Sequence, residues 1–319
     1  MNSYTNINTN KKSTKRQDQV LEDIIENVDQ SSVEYEYYDT DNLDQDCYTE
    51  YIDVASYNMD IIPVNISIST MSLACYLGTL FITENIYKYM ILEEDNIVSV
   101  KSSKGIRCLN SIKDKFKSTN KNSKKNFYNQ NTIIIRITED RYLNIKLFKN
   151  GSIQMTGAKY LSDANIAVNK LISKLKEKLI IKTEEGFNEI VFIENPDELT
   201  MTKFKIDLIN CNFGINYLIN KESLYNLLTK NNVLCRLSPI HSCVNIKYKI
   251  MINENESTYV SIFVFQTGNI IITGAKKAEH IREAYYYIVN FLNQNKMNIM
   301  KKEIGKILSA TDIKEILES

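Results

Sequence analysis

Phe148 and Phe265 each close an alternating segment, YLNIKLF from Tyr142 and YVSIFVF from Tyr259, and the two rings stand 117 residues apart. Around each ring, binding-competent side chains recur at fixed spacing. Lys146 and Phe263 lie two residues before, Gln154 and Ile271 six after, and Thr156 and Thr273 eight after. Arg136 and Lys249 stand in the segment upstream of each. In this arrangement they suit binding rather than bond breaking. A ring offers a stacking plane, hydroxyls and amides offer donors and acceptors, and each Lys or Arg offers a charge for an anion. Catalysis is not indicated. The repeated Gly-Ala-Lys lacks the G-x-x-x-x-G-K-S/T spacing of a phosphate loop. The two histidines, His241 in a loop and His280 on the surface of a closing helix, sit in unrelated contexts. No nucleophile–base or carboxylate pair emerges, and no small-molecule substrate or cofactor is implied.

The elements that must position these residues occur twice. Gly151–Lys159 reads GSIQMTGAK and Gly268–Lys276 reads GNIIITGAK. A strand, a Gly turn, a strand and a helix, repeated at long period, mark a duplicated supersecondary unit. The first unit is expected to hold strands at 64–76, 132–138, 142–148 and 152–156, and a helix at 83–92. A second helix carries Ala164, Val168, Leu171, Ile172, Leu175 and Leu179 on one stripe, with Ser162 as N-cap. The second unit repeats the order: strands at 204–212, 243–252, 258–265 and 269–273, and a helix at 221–228. Its closing helix places Ile281, Ala284, Tyr285, Ile288, Phe291 and Leu292 on one face. The domain reading is an acidic arm 1–58, a first repeat 59–182 and a connector 183–202, the last with a short strand at 190–193. A second repeat 203–296 and a helical extension 297–319 complete it.

Composition adds direction. Residues 1–60 hold 14 acids and 4 bases, whereas residues 61–319 hold 25 acids and 35 bases. A basic body with an acidic arm suits an anionic partner, and equally a well-solvated surface or self-shielding by the arm. The arm, rich in Asn, Ser, Thr and acid, cannot build a core and is expected to be disordered, with at most a short helix at 19–28. The run 101–126 contains nine bases and one acid, Asp114; it is a solvated loop or a nucleic-acid contact. Six scattered cysteines without C-x-x-C spacing, and two histidines, argue against a zinc cluster and for reduced thiols in an intracellular protein. No segment reads as a signal peptide or a membrane span.

Alternation assigns the faces, since successive strand residues point to opposite sides. Leu143, Ile145, Leu147, Ile153 and Met155 share an aliphatic side with Ile133, Ile135 and Ile137. Ile246, Tyr248, Ile250, Ile262 and Val264 do so in the second unit. Helices are expected to cover that side. The other side carries Lys, Arg, Thr, Asn and Gln, with Phe148 and Phe265 at strand ends, and reads as a binding platform unless a loop or the arm covers it.

The duplicated TGAK units and their flanks resemble the TATA-box-binding protein family over about residues 64–296. Ile66–Cys75 is similar to the family's first strand, and Phe204–Ile209 to its repeat. With the Asn/Ile/Lys bias of an AT-rich genome and the acidic arm, the source expected is a giant DNA virus. The resemblance implies an α+β saddle of two pseudosymmetric repeats, a curved antiparallel sheet with helices on its convex face. It implies a transcription initiation factor pressed into the minor groove, wedging and bending promoter DNA to nucleate preinitiation complex assembly, a mechanism for which this family is the standard example. The implied partners are double-stranded, A/T-rich promoter DNA, initiation factors and the RNA polymerase machinery, in a nucleus or a viral transcription compartment.

Carried across by position, Phe148 and Phe265 match the wedges. Thr156 and Thr273 match groove-facing hydroxyls, and Gln154 and Ile271 stand at the family's paired Val contacts. Arg136 and Lys249 match phosphate-contacting bases. Lys146 and Phe263 lie on the same face. The family's central Asn pair falls on Ile66 and Leu208, with Asn65 and Asn210 nearby in another register; the second wedges fall near Gln130 and Cys243. The other reading is a protein-interaction scaffold that kept the fold and lost DNA binding.

Overall fold

The computed structural model describes residues 48–112, 128–183, 186–237 and 243–301. The expected helix at 19–28, most of the Lys-rich run, His241 and residues 302–319 lie outside them. The described chain falls into two compact units. The larger holds eight strands of seven residues or more, together with shorter ones. In chain order its strands are β1 (Ser67–Tyr76), β2 (Ile97–Lys101), β3 (Ile106–Cys108), β4 (Gln130–Arg136), β5 (Tyr142–Phe148) and β6 (Ser152–Ala158). After the smaller unit's hairpin, β7 (Leu179–Thr183) and β8 (Gly186–Ile190), come β9 (Thr202–Gly214), β10 (Cys235–Leu237), β11 (Cys243–Met251), β12 (Ser257–Phe265) and β13 (Asn269–Ala275). The helices are α1 (Thr83–Tyr89), α2 (Leu161–Lys176), α3 (Lys221–Lys230), α4 (Ala278–Gln294) and α5 (Lys296–Ile299).

The larger unit is built on one eleven-stranded antiparallel sheet, in the order β10-β11-β12-β13-β9-β1-β6-β5-β4-β2-β3. Its centre is the seam between β1 and β9. Outward from the seam the halves repeat: β6, β5 and β4 on one side correspond to β13, β12 and β11 on the other. The expected α+β class is the one found. Alternation fixes the buried side: Leu143, Ile145 and Leu147 of β5 are at most 1% exposed, and Val260, Ile262 and Val264 of β12 are fully buried. Each such side chain contributes roughly 1.5–3 kcal/mol by leaving water. Helix α2 packs on β4 and β6, and α4 on β11, β12 and β13, so the aliphatic side is the helix-covered one.

Glycines in the repeat answer to geometry. Gly157 (φ +102) and Gly274 (φ +91) adopt backbone conformations that L side chains rarely take. They lie where β6 slips register against β1 and β13 against β9. These are β-bulges, which bend a strand and increase its twist. Gly151 sits at a hairpin turn (φ +85), and a Cβ there would come within 2.3 Å of the Thr79 carbonyl.

The duplication reaches further than expected. The Ile82 N–H donates to the Phe192 carbonyl at 2.9 Å, and the Asn220 N–H to the Ile299 carbonyl at 2.7 Å. Phe81 bridges to Ile193 and Ile219 to Met300. Thus Phe192–Glu194 of the expected connector and Ile299–Lys301 of the expected extension close their repeats in the same way. The expected strand at 190–193 is instead the end of the hairpin β7–β8 followed by that bridge. Within the smaller unit the hairpin pairs Leu179 with Ile190 through Thr183 with Gly186, and Lys178 Nζ lies 2.8 Å from Glu189.

Two local expectations are corrected. Ser162 is not an N-cap; it is exposed inside α2, and Asp163 Oδ2 accepts from the Lys159 and Tyr160 N–H groups at 3.0 Å each. His280 is not a surface residue but 8% exposed on the packed side of α4. Its position, three residues before Glu283 and one before Ile281, puts it at the edge of the helix's apolar stripe.

Candidate nucleic-acid interface

The residues singled out in the sequence lie on the side of the sheet away from the helices, and strand pairing sorts them into matched rows. At the outer ends Phe148 pairs with Gln130 and Phe265 with Cys243. Both rings are partly exposed. In the next row Lys146 pairs with Thr132 and Gln154, and Gln154 with Ala74. Its counterpart runs Asn245, Phe263, Ile271, Asn212. One row on, Thr156 pairs with Asn144 and Ser72. Thr273 pairs with Ser261, and its hydroxyl hydrogen-bonds to Asn210 Oδ1.

Arg136 and Lys249 prove equivalent by geometry. They pair with Tyr142 and Tyr259, which are 117 residues apart like the rest of the repeat. Their settings differ. Arg136 Nη1 donates to the Glu94 carbonyl at 3.1 Å and Nε to the Thr138 carbonyl at 3.4 Å, and Nη1 stands 3.9 Å from the Glu94 carboxylate. Lys249 is exposed.

The open face is cationic. Its rows contain Lys101, Arg136, Lys146, Lys205, Lys247 and Lys249, and the carboxylate of Asp207 lies 2.9 Å from Lys205 Nζ. Lys247 Nζ donates to Ser261 Oγ at 2.6 Å. Next to Lys247 in sequence, Tyr248 turns to the helix side. Its ring stacks on Tyr287 at 4.3 Å between centroids and its hydroxyl donates to Glu283 at 3.0 Å. Burial, then that carboxylate, pushes the phenol up to about 12, so it keeps its proton and holds β11 to α4.

At the centre, sequence reasoning placed Asn210 in another register and passed over Asn212. Asn210 and Asn212 face the open side because Asp207 is an extra residue in β9: Ser72 pairs with Leu208 while Leu73 pairs with Ile206. Strict alternation from buried Ile206 would have turned both asparagines inward. Asn212 Nδ2 donates to Ser69 Oγ across the seam at 2.9 Å, Ser69 being the extra residue of β1. Bulges of this kind leave no mark in hydrophobic alternation. Ile66 is buried at 8% exposure ahead of β1, whereas Leu208 is partly exposed opposite Ser72.

Burial pushes the Cys75 and Cys211 thiols up to about 12, which keeps them protonated and inert. Among the described residues no group of three or more His, Cys, Asp or Glu could hold a metal ion, and no helix is long and apolar enough to cross a membrane.

A duplicated α+β unit whose halves share one continuous antiparallel sheet, helices on one side and a basic, aromatic-tipped face on the other, defines a narrow class. The family described as "Transcription factor TFIID (or TATA-binding protein, TBP)" matches residues 236–295. A TATA-box-binding protein-like protein of Acanthamoeba polyphaga mimivirus is 40% identical over 268 residues, covering 76% of this chain and 71% of the relative. Among solved structures, Methanococcus jannaschii TBP is similar at 18% identity and a TM-score of 0.43, over 72% of this chain and 99% of that one. The chain belongs to the TATA-box-binding protein family.

Proposed function

We propose that this protein is a non-enzymatic, DNA-binding transcription initiation factor that engages the minor groove of A/T-rich promoter DNA with the open face of its sheet. The observation that carries this is the matched pair of rows around Phe148 and Phe265, with a ring at each outer end and cations along the face. A ring at each end can enter a base step and unstack it, at a few kcal/mol per step, and the bent duplex then meets more of the face. Lys146, Lys247 and Lys249 neutralise phosphates and release counterions. Thr156, Thr273, Asn210 and Asn212 supply hydroxyl and amide groups for the acceptors on the groove floor. The bent complex would nucleate assembly of initiation factors and polymerase, in a nucleus or a viral transcription compartment.

Fluorescence anisotropy against a TATA-containing duplex and a G·C-rich control, at several salt concentrations, tests the reading; end-labelled duplexes report the bend by energy transfer. Preferential binding with bending supports it. Equal, salt-sensitive binding without a bend reduces it to backbone attachment. Absence of binding to either duplex favours the scaffold reading, which the apolar Leu208 on the open face also favours.

A further inference from the structure

The two halves of the open face are matched in geometry and unmatched in chemistry. In the first, the row outward from the seam is Ala74, Gln154, Lys146, Thr132; in the second it is Asn212, Ile271, Phe263 and then Asn245, whose amide oxygen is buried. A carboxamide and an amine therefore occupy the places that an aliphatic chain and an aromatic ring occupy 117 residues later. Asn212 does not restore the balance. It sits on β9 at the central seam, where its amide nitrogen is bonded to Ser69 of β1, so its polarity serves the middle of the interface and not the outer second half.

The minor groove poses one question to such a surface. Every base pair presents purine N3 and pyrimidine O2 acceptors there, and only G·C adds a donor, the guanine N2 amine. An apolar side chain pressed against that amine strips its water and returns no acceptor, which costs about tenfold in affinity or more. A glutamine oxygen can accept the bond. Lys146, a donor without acceptor capacity, meets the groove's acceptors or a phosphate instead, and small Ala74 leaves the carboxamide room to swing.

We propose that Gln154 makes the half-site under the first repeat permissive for a G·C pair, while Ile271 and Phe263 restrict the half-site under the second repeat to A·T. This rests on the minor-groove reading above. It has a consequence that symmetric readout lacks: a G·C pair in one half of a site dictates which way round the protein sits, with the first repeat over it. The preferred site is thus a polar one, A·T at one end and mixed at the other.

The experiment uses the full chain and three kinds of duplex: all A·T, one G·C pair walked through either half, and one G·C pair in each half. Each affinity is read as a ratio to the same protein's affinity for the all-A·T duplex. Because the protein can turn round, a single outer G·C pair should cost little in either half, whereas a pair in both halves should cost about tenfold. Gln154→Val should make the single G·C pair as costly as two. Ile271→Gln should relieve the doubly substituted duplex. Circular dichroism checks that each variant is folded, and the wild-type ratios alone carry the test if one is not. Tenfold losses from every single G·C pair in the wild type, or equal tolerance of one and two, would overturn the proposal with DNA binding intact. No binding to any duplex would instead remove the minor-groove reading on which it stands.

Discussion

Asp163 and His280 occupy the same place in the two repeats, 117 residues apart at the start of the helix that follows TGAK, and do opposite things there. Asp163 is 2% exposed and its carboxylate meets Arg141 Nη1 at 2.7 and 2.8 Å while capping α2. His280 is 8% exposed, its Nδ1 is buried without a hydrogen-bond partner among the described residues, and Lys277, the N-cap residue of α4, makes no side-chain cap bond. The guanidinium explains the difference: the residue one before Tyr142 is Arg141, whereas the one before Tyr259 is Thr258. A buried acid without its cation would be costly.

Asp163→Ala should therefore lower the unfolding free energy by about 2–3 kcal/mol, since it removes charge-assisted bonds to two backbone N–H groups and Arg141. Arg141 is about a third exposed, which tempers the ion-pair share. Ser162→Ala, one residue away but exposed, should change it by no more than about 0.5 kcal/mol. Urea titration of the two variants distinguishes them, and equal effects would refute Asp163 as the cap.

His280 predicts a pH dependence. Burial, then the charge of Lys277, holds its pKa below the usual 6.5, with Glu279 and Glu283 pulling up and Lys276 down. The folded state thus prefers the neutral ring. Stability from this group is complete above 6.5 and falls as pH drops from 6.5 through the depressed folded-state value, because the unfolded chain takes a proton that the folded one refuses. Urea midpoints at pH 7.5 and 5.5 should differ less in His280→Leu than in the wild type. An identical pH response would show that the ring titrates normally.

The bulge glycines should resist substitution unequally. At φ +102 and +91 any L side chain is strained, at a cost of order 1–3 kcal/mol. A Cβ on Gly157 would also stand 3.1 Å from the Tyr142 carbonyl, against 3.5 Å from the Tyr259 carbonyl for Gly274. Gly157→Ala should lose more stability than Gly274→Ala in thermal unfolding. The reverse order would mean that the second bulge, beside the Thr273–Asn210 hydrogen bond, is the stiffer one.

Wedge insertion makes its own forecast. Phe148→Ala and Phe265→Ala should each cost about 1–3 kcal/mol of duplex affinity and reduce the bend measured by energy transfer. The double variant should bind a pre-bent or mismatched duplex better than a straight one, because the unstacking is then already done. Unchanged bending in both single variants would take the rings out of the mechanism.

Much of this was legible in the chain. TGAK at two places gave the duplication, and alternation in YLNIKLF and YVSIFVF gave the faces, because period-2 burial leaves a strong signal in aliphatic strands. The centre was not legible. One extra residue in β9, Asp207, turns Asn210 and Asn212 outward, and a bulge is a backbone event that no side-chain pattern announces. The Asp163 cap was missed by one position because its carboxylate reaches back to Lys159 and Tyr160 from inside the helix. The closing bridges at Ile193 and Met300 join short segments to distant ones, beyond any local periodicity.

Arg136 and Lys249 bring that limit to the charge pattern, since position made them a matched pair and environment does not. Lys249 is exposed and can follow a phosphate, whereas the Arg136 guanidinium is engaged by the carbonyls of Glu94 and Thr138 and approached by the Glu94 carboxylate. A cation already neutralised by the protein releases few counterions on binding. Lys249→Ala should accordingly reduce the slope of log affinity against log salt by about 1 and weaken binding evenly across sequences. Arg136→Ala should change that slope much less and show instead as lost stability, from the lost bonds to the Glu94 and Thr138 carbonyls. Anisotropy from about 50 to 200 mM salt resolves slopes of this size. Equal slope changes in the two variants would mean that Arg136 leaves Glu94 to meet the duplex, and that the pair acts as the repeat alone would have it.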